Sequence, residues 1–159
     1  MEVIFFVEIP KGSCQKYEFD EELGGIKLDR TLFSPMYFPF EYGFIKGTKG
    51  QDGDPLDCLL LASFSTFPGC LVKARTIGLL EMEDEAGIDT KILAVPIEKI
   101  DPRFKEIQDV KDLPEHLKKE IKVFFEDYKK LESGKWTKVK EFKSNEEAEK
   151  LVKESIINS

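Results

Sequence analysis

Six residues, Asp52-Gly53-Asp54-Pro55-Leu56-Asp57, place three carboxylates on a Gly/Pro frame, and an apolar run from Cys58 to Ala62 follows at once. Three like charges so close repel one another. The cluster is tolerable if the acids point apart into water or if cations sit among them. The apolar run implies that the segment enters the core, which favours cations, and hard ones, because every candidate ligand is an oxygen. Asp52 and Asp54 share a face if the segment is extended. Asp57 has the opposite parity, and a bend at Pro55 would bring it round. A second acidic stretch, Glu81 to Asp89, supplies Asp84, Glu85 and Asp89. If the two stretches meet, they offer more carboxylates than one cation needs. That suits several Mg²⁺ ions, each held by one or two carboxylates plus water and phosphate oxygens. Plainer readings stand beside this one: a surface Asx-turn or a single structural Ca²⁺ site at 52–57. For 84–89 alone, a solvated acidic turn is the simpler account.

Cationic and phenolic groups fall where they would complement these acids. Lys16 alternates with Glu18, Arg30 follows Asp29, and Tyr42 sits beside Gly43. Lys91 follows the second acidic stretch, and Tyr128 and Lys129 are adjacent. Taken singly, the lysines read as solvated, Tyr128 as core, and Arg30 as half of a surface ion pair worth little. Together they describe a site with metals on one side and phosphate-binding donors on the other. His116, the only histidine, falls in the first turn of an expected helix and should be exposed. Trp136 is expected to pack. No Gly-x-Gly-x-x-Gly, Walker or Gly-x-Ser-x-Gly pattern occurs.

These residues need a scaffold. The first two thirds of the chain read as β-rich. Val3 to Val7 is strand-like, and Gln15 to Phe19 and Ile26 to Leu28 flank Gly24-Gly25 as a hairpin. Gly69 to Leu80 and Lys91 to Val95 add longer strands, with Glu81 to Asp89 as a loop between them. The last third reads as helical. Asp112 and Glu115 have capping-box spacing, Pro114 suits a first turn, and Leu117, Ile121, Phe124, Phe125, Tyr128 and Leu131 follow at helical spacing. Ser144 and Glu147 open a shorter helix through Ala148, Leu151, Val152 and Ile156. Many short strands followed by helices predict a small barrel or strongly curved sheet with helices packed outside.

Composition narrows the classes. A chain of 159 residues, 41% hydrophobic and 35% charged, reads as one domain with a real core. A net charge of −7 argues against a nucleic-acid or anionic-membrane binder, which needs a basic footprint. It leaves an anionic substrate open, because bound cations invert the local field. Cys14, Cys58 and Cys70 are scattered, form no C-x-x-C pair, and read as reduced, partly buried residues of a cytoplasmic protein. The N-terminal segment has neither the basic region nor the cleavage site of a signal peptide. No apolar run reaches transmembrane length.

The acidic hexapeptide also resembles the defining motif of the soluble family I inorganic pyrophosphatases, prokaryotic type. Seven further blocks match in order and spacing: Val7-Glu8-Ile9-Pro10, Lys16-Tyr17-Glu18, Leu28-Asp29-Arg30, Tyr42-Gly43-Phe44-Ile45, Asp84-Glu85-Ala86-Gly87, Asp89-Thr90-Lys91 and Phe124-Phe125-Glu126-Asp127-Tyr128-Lys129. The resemblance runs from about Val3 to about Lys150. It implies a single pyrophosphatase domain over 1–159. The implied fold is mainly β, a five-stranded OB-like closed barrel with two helices from the last third packed outside. The implied activity is Mg²⁺-dependent hydrolysis of pyrophosphate to two phosphates by direct attack of a metal-bridged water, with Mn²⁺ or other divalent cations able to substitute. Carried over by motif, Asp52, Asp57 and Asp89 hold the first metal, and Asp57 also reaches a second. Asp84 and Asp89 bind the metal arriving with substrate, Glu18 binds another, and Glu8 supports the site through water. Asp54 is the general base. Arg30, Tyr128 and Lys129 grip one phosphate, and Lys16 and Tyr42 the other. Glu85 and Lys91 match further active-site positions, Lys91 toward substrate. Relatives of this size imply a homohexamer.

One departure stands out. The family has a tyrosine directly before the proline of the segment that here reads Met36-Tyr37-Phe38-Pro39. Tyr37 sits one residue earlier, which in an extended segment turns it to the opposite face, so the hydroxyl is expected to be lost. Two rivals remain at this level. One is a cation-binding module without catalysis, which would leave Lys16, Arg30 and Lys129 idle. The other is an OB-type oligonucleotide binder, against which the acidity speaks.

Overall fold

Alternating apolar side chains make β1 (Glu2–Ile9): Val3, Phe5, Val7 and Ile9 are buried, and the residues between them are less so. This two-residue period buries one face of a strand. β4 (Glu41–Ile45) and the first half of β6 (Leu71–Asp84) follow the same alternation, whereas β5 (Asp57–Leu60) and β8 (Lys91–Pro96) are buried almost throughout. The computed structural model describes residues 1–158. In it these five strands form a ring, β1–β4–β5–β8–β6, which closes because β6 pairs back onto β1. Every pairing in the ring is antiparallel except β5 with β8, which is parallel.

Parity divides the apolar residues into two layers. Phe5, Val7, Ile45, Cys58, Leu60, Ala74, Ile92 and Ala94 come from all five strands and form one cluster, the barrel interior, joined by Ala148 and Val152 of α2 (Asn145–Ser155). Leu59, Leu61, Ile77, Leu80, Leu93 and Val95 face the other way and pack with Ile121, Phe124 and Phe125 of α1 (Glu115–Asp127). β8 is therefore buried along its whole length. The expected barrel with two outer helices is what the chain forms. Among the described residues β2 (Gln15–Asp20) and β3 (Gly25–Thr31) pair only with each other, so the hairpin around Gly24-Gly25 stands beside the barrel.

Gly43 marks a close approach. A Cβ there would overlap the carbonyl oxygen of Phe6, on the neighbouring strand. Only glycine lets β1 lie this near β4.

Some expectations need correcting. The stretch Glu81–Asp89 is not a loop. β6 continues through Asp84 and turns back into β7 (Gly87–Ile88), so Glu85 and Ala86 alone form the tip. What extends β6 is β9 (Thr137–Lys143), which pairs along it at Met82–Val139 and Asp84–Thr137. β9 lies in the third expected to be helical; Lys138 and Lys140 line its solvated face, alternating with the half-buried Thr137 and Val139. The helix near residue 115 is not capped by Asp112. Pro114 holds the N-cap position with no side-chain cap, and Asp112 instead forms a capping box with Asp109 around the 3₁₀ turn Val110–Asp112. α1 ends at Asp127, so Leu131 is exposed, and Trp136 and Cys14 are also open to solvent. Ser144 does cap α2, accepting from the Glu147 amide at 3.4 Å. Among the described residues no helix is long and apolar enough to cross a membrane.

Candidate active site

The parallel pairing of β5 and β8 brings two strand starts to one rim. Cys58 opposes Ile92, so Asp57 and Lys91, each one residue earlier, lie side by side. Tyr42 joins them from β4, where it opposes Leu59. The Lys91 ammonium donates to Asp57 Oδ2 at 2.9 Å, Asp89 Oδ1 at 2.8 Å and Tyr42 Oη at 2.6 Å. One carboxylate from each acidic segment thus meets on a single cationic nitrogen. Burial opposes the charge on Lys91, but Asp57, Tyr42 and Asp89 outweigh it and hold its pKa well above the ordinary lysine value. Burial, reinforced by Asp57, raises the Tyr42 pKa well above its ordinary value too, which keeps the hydroxyl protonated and neutral.

A second lysine repeats the arrangement. Lys129, just beyond α1 and almost fully buried, lies 3.5 Å from Asp84 Oδ2 and 3.4 Å from Glu85 Oε2. Slight burial works against the Glu85 charge. The Glu85 and Trp136 amides, with Lys129 and Lys135, overcome this and hold the carboxyl at about 2. Tyr128 stacks on Phe124 with centroids 5.2 Å apart, and burial pushes its hydroxyl up to about 12.

The separate hairpin carries the other bases. Asp29 Oδ2 lies 3.4 Å from Lys16 Nζ and 2.5 Å from Arg30 Nη1, so one carboxylate is gripped by both cations. Glu18 faces Lys27 at 3.3 Å and Lys16 at 3.9 Å. Glu8 ties the hairpin to the barrel by accepting from the Phe19 amide at 2.8 Å. Burial raises the Glu8 carboxyl to about 7, with Asp57 and Glu18 adding to the rise. On the 52–57 loop, Asp52 Oδ1 accepts from the Asp54 amide at 3.0 Å, and Gly53 has φ of +89°. This is the Asx-turn that the spacing allowed. Asp54 stays exposed, and burial, Asp52, Asp57 and Glu18 raise its pKa.

These patterns test how well the donors suit a divalent cation. Among the described residues, no three Asp, Glu, Cys or His side chains stand as a ready-made cage. The acids meet across lysines instead, as expected of clustered carboxylates that recruit the nearest positive charge. Lys91 is a stand-in cation: Asp57 and Asp89 already aim oxygen at one positive centre. The raised pKa values of Glu8 and Asp54 show that further negative charge is resisted here until a cation joins the cluster. An all-oxygen donor set with this excess of negative charge fits Mg²⁺.

Phe38 is buried, with its ring centroid 5.6 Å from Tyr42 and 6.2 Å from Tyr128. Tyr37 is 61% exposed. The shifted tyrosine therefore does not restore the missing hydroxyl. Glu132, which the sequence reading passed over, reaches Arg30. Its signal was faint: three residues after Lys129, one turn further along a helical path.

The model of the inorganic pyrophosphatase family matches residues 5–158. The chain is 50% identical over 158 residues to the inorganic pyrophosphatase of Nanoarchaeum equitans, covering 99% of this chain and 98% of that protein. It is 50% identical over 155 residues to that of Saccharolobus solfataricus, covering 98% and 90%. The solved inorganic pyrophosphatase of Helicobacter pylori superposes with a TM-score of 0.95 at 45% identity, over 98% of this chain and 91% of that one. That of Thermus thermophilus gives 0.94 at 46%, over 98% and 89%. The chain belongs to the inorganic pyrophosphatase family and is an inorganic diphosphatase, a hydrolase of the phosphoric anhydride bond.

Proposed function

We propose that the chain hydrolyses pyrophosphate to two phosphates in a Mg²⁺-dependent reaction centred on the rim where β5 and β8 begin. The observation that carries this reading is the convergence of Asp57 and Asp89 on one positive centre. Asp52, Asp57, Asp84, Asp89 and Glu18 would hold the cations, with Glu8 and Glu85 in support, and Mn²⁺ or another hard divalent ion would serve in place of Mg²⁺. Bound cations would supply Lewis-acid charge to the phosphoryl oxygens and lower the pKa of the attacking water to about 7.

The chain's own groups do the rest. Asp54, at the tip of its Asx-turn and exposed, takes the proton from the attacking water as general base. Lys16, Arg30 and Lys129 neutralise phosphate charge, as Asp29 now does for Lys16 and Arg30. Tyr42 and Tyr128, kept neutral by burial, donate hydrogen bonds to phosphate oxygens. Lys91 holds Asp57 and Asp89 in register, and with cations on those carboxylates its ammonium would be available to substrate. The enzyme acts as a single domain over 1–159, assembled as a homohexamer in the cytoplasm, where Cys14, Cys58 and Cys70 stay free. Neither nucleic acid nor membrane takes part.

Phosphate release from pyrophosphate, measured with Mg²⁺ and then with EDTA, tests the metal requirement: release should stop on chelation. Asp54→Asn tests the base. Pyrophosphate binding should persist while turnover falls roughly 10²–10⁴-fold. Turnover near that of the unmodified protein would remove Asp54 from the mechanism.

A further inference from the structure

Glu132 follows Lys129 by three residues, and its amide donates to the Lys129 carbonyl at 3.0 Å. The turn that leaves α1 therefore carries Tyr128, Lys129 and Glu132 together. The Glu132 side chain is only 7% exposed. A carboxylate that buried is tolerated when a cation compensates it. The cation is Arg30, whose Nε lies 2.8 Å from Glu132 Oε1. Their geometry falls short of an aligned hydrogen bond, and among the described residues Oε2 is buried without a partner. The contact is therefore an ion pair with acceptor capacity to spare.

Arg30 needs such a contact. It sits on β3, which among the described residues pairs with β2 alone, so no strand pairing there fixes it to the barrel. Its guanidinium is a rigid fork of five N–H donors at the end of a flexible stem. Asp29 engages Nη1 from within the same strand and is 30% exposed, and its carboxylate also reaches Lys16. An incoming phosphate competes with Asp29 for these two cations. Glu132 lies behind, on Nε, and does not compete.

We infer that Glu132 is the positioning residue of Arg30. It anchors the Nε side of the guanidinium to the turn that presents Tyr128 and Lys129, and so aims the outer N–H edge at the phosphate these three residues share. Glu132 does not touch substrate. The inference rests on the reading of Arg30 as a phosphate-binding residue.

A double-mutant cycle separates the two ideas. The intact enzyme, Arg30→Ala, Glu132→Gln and the double variant are compared by kcat and KM for pyrophosphate with Mg²⁺, together with Tm. Glu132→Gln should lower kcat/KM roughly 10- to 100-fold, the range for losing one partner of a charge-assisted contact. In the Arg30→Ala background the same change should add less than about 2-fold, because interacting residues are non-additive. A Tm shift shared equally by both backgrounds would belong to packing and leave that kinetic coupling intact. Should Glu132→Gln not fold, Glu132→Asp, which keeps the charge but shortens its reach, completes the cycle. Unchanged kcat/KM in Glu132→Gln, or an equal loss in both backgrounds, overturns the inference. Unchanged kcat/KM in Arg30→Ala instead overturns the phosphate role of Arg30, and the anchoring role of Glu132 with it.

Discussion

The site has two halves built in different ways. Tyr42, Asp57, Asp89 and Lys91 lie on or beside barrel strands, locked by a ladder that runs through two packed layers. Lys16, Glu18, Asp29 and Arg30 stand on a two-stranded hairpin that, among the described residues, no ladder joins to the barrel. The first half is held by backbone pairing, the second by side chains: Glu8 on the Phe19 amide and Glu132 on Arg30. Groups that must hold a cation gain from rigid placement, since ligand geometry is strict for Mg²⁺. The division is not strict, because Glu18, a proposed cation ligand, rides on the hairpin.

The contrast can be broken most severely on the barrel side. Asp57→Asn removes charge from the shared cation site, and turnover should fall roughly 10²–10⁴-fold, the scale of several kcal/mol of lost charge stabilisation. Steady-state phosphate release checks this; a loss under about 3-fold would separate Asp57 from the reaction. Lys91→Met comes next. It leaves Asp57 and Asp89 facing each other with no cation between them. Stability should drop by about 1–3 kcal/mol, less than for a fully buried pair because Asp57 is partly open to water. Mg²⁺ should then raise Tm more in the variant than in the intact protein. Thermal melts with and without Mg²⁺ read both effects, and equal Mg²⁺ shifts would contradict the stand-in role of the lysine. The smallest effect belongs to the hairpin. Lys16→Ala should raise KM for pyrophosphate by roughly 10-fold, the value of one charged hydrogen bond. It should leave Tm nearly unchanged, because Lys16 makes only long contacts to Glu18 and Asp29. A large Tm loss would show that the hairpin is tied more firmly than its pairing suggests.

What could be read without coordinates followed from locality. Asp52, Asp54 and Asp57 announce themselves because six adjacent residues carry the charge. β1, β6 and β8 announce themselves as apolar runs of strand length, whereas β4 and β5 are not marked out as strands. Glu132 and β9 do not announce themselves either. Glu132 matters through an arginine about a hundred positions away, and no local pattern marks such a pairing. β9 carries three lysines and a glutamate in seven residues, so its strand character depends on β6 being there to pair with it. Asp112 misled for a similar reason: its spacing to Glu115 fits a cap, but Asp109 competes for it and wins. Tyr37 and Phe38 were readable, because the face a side chain takes follows from parity alone.

β6 spans Leu71 to Asp84 without a break between its named ends. Its first residues zip the ring shut against β1, and its last residue delivers Asp84 to Lys129. The strand thus acts as a ruler whose zero mark is the barrel seam. Losing one residue beyond Leu80 would leave the seam closed yet rotate the acidic tip away from its lysine, so the length of this strand is itself under chemical constraint.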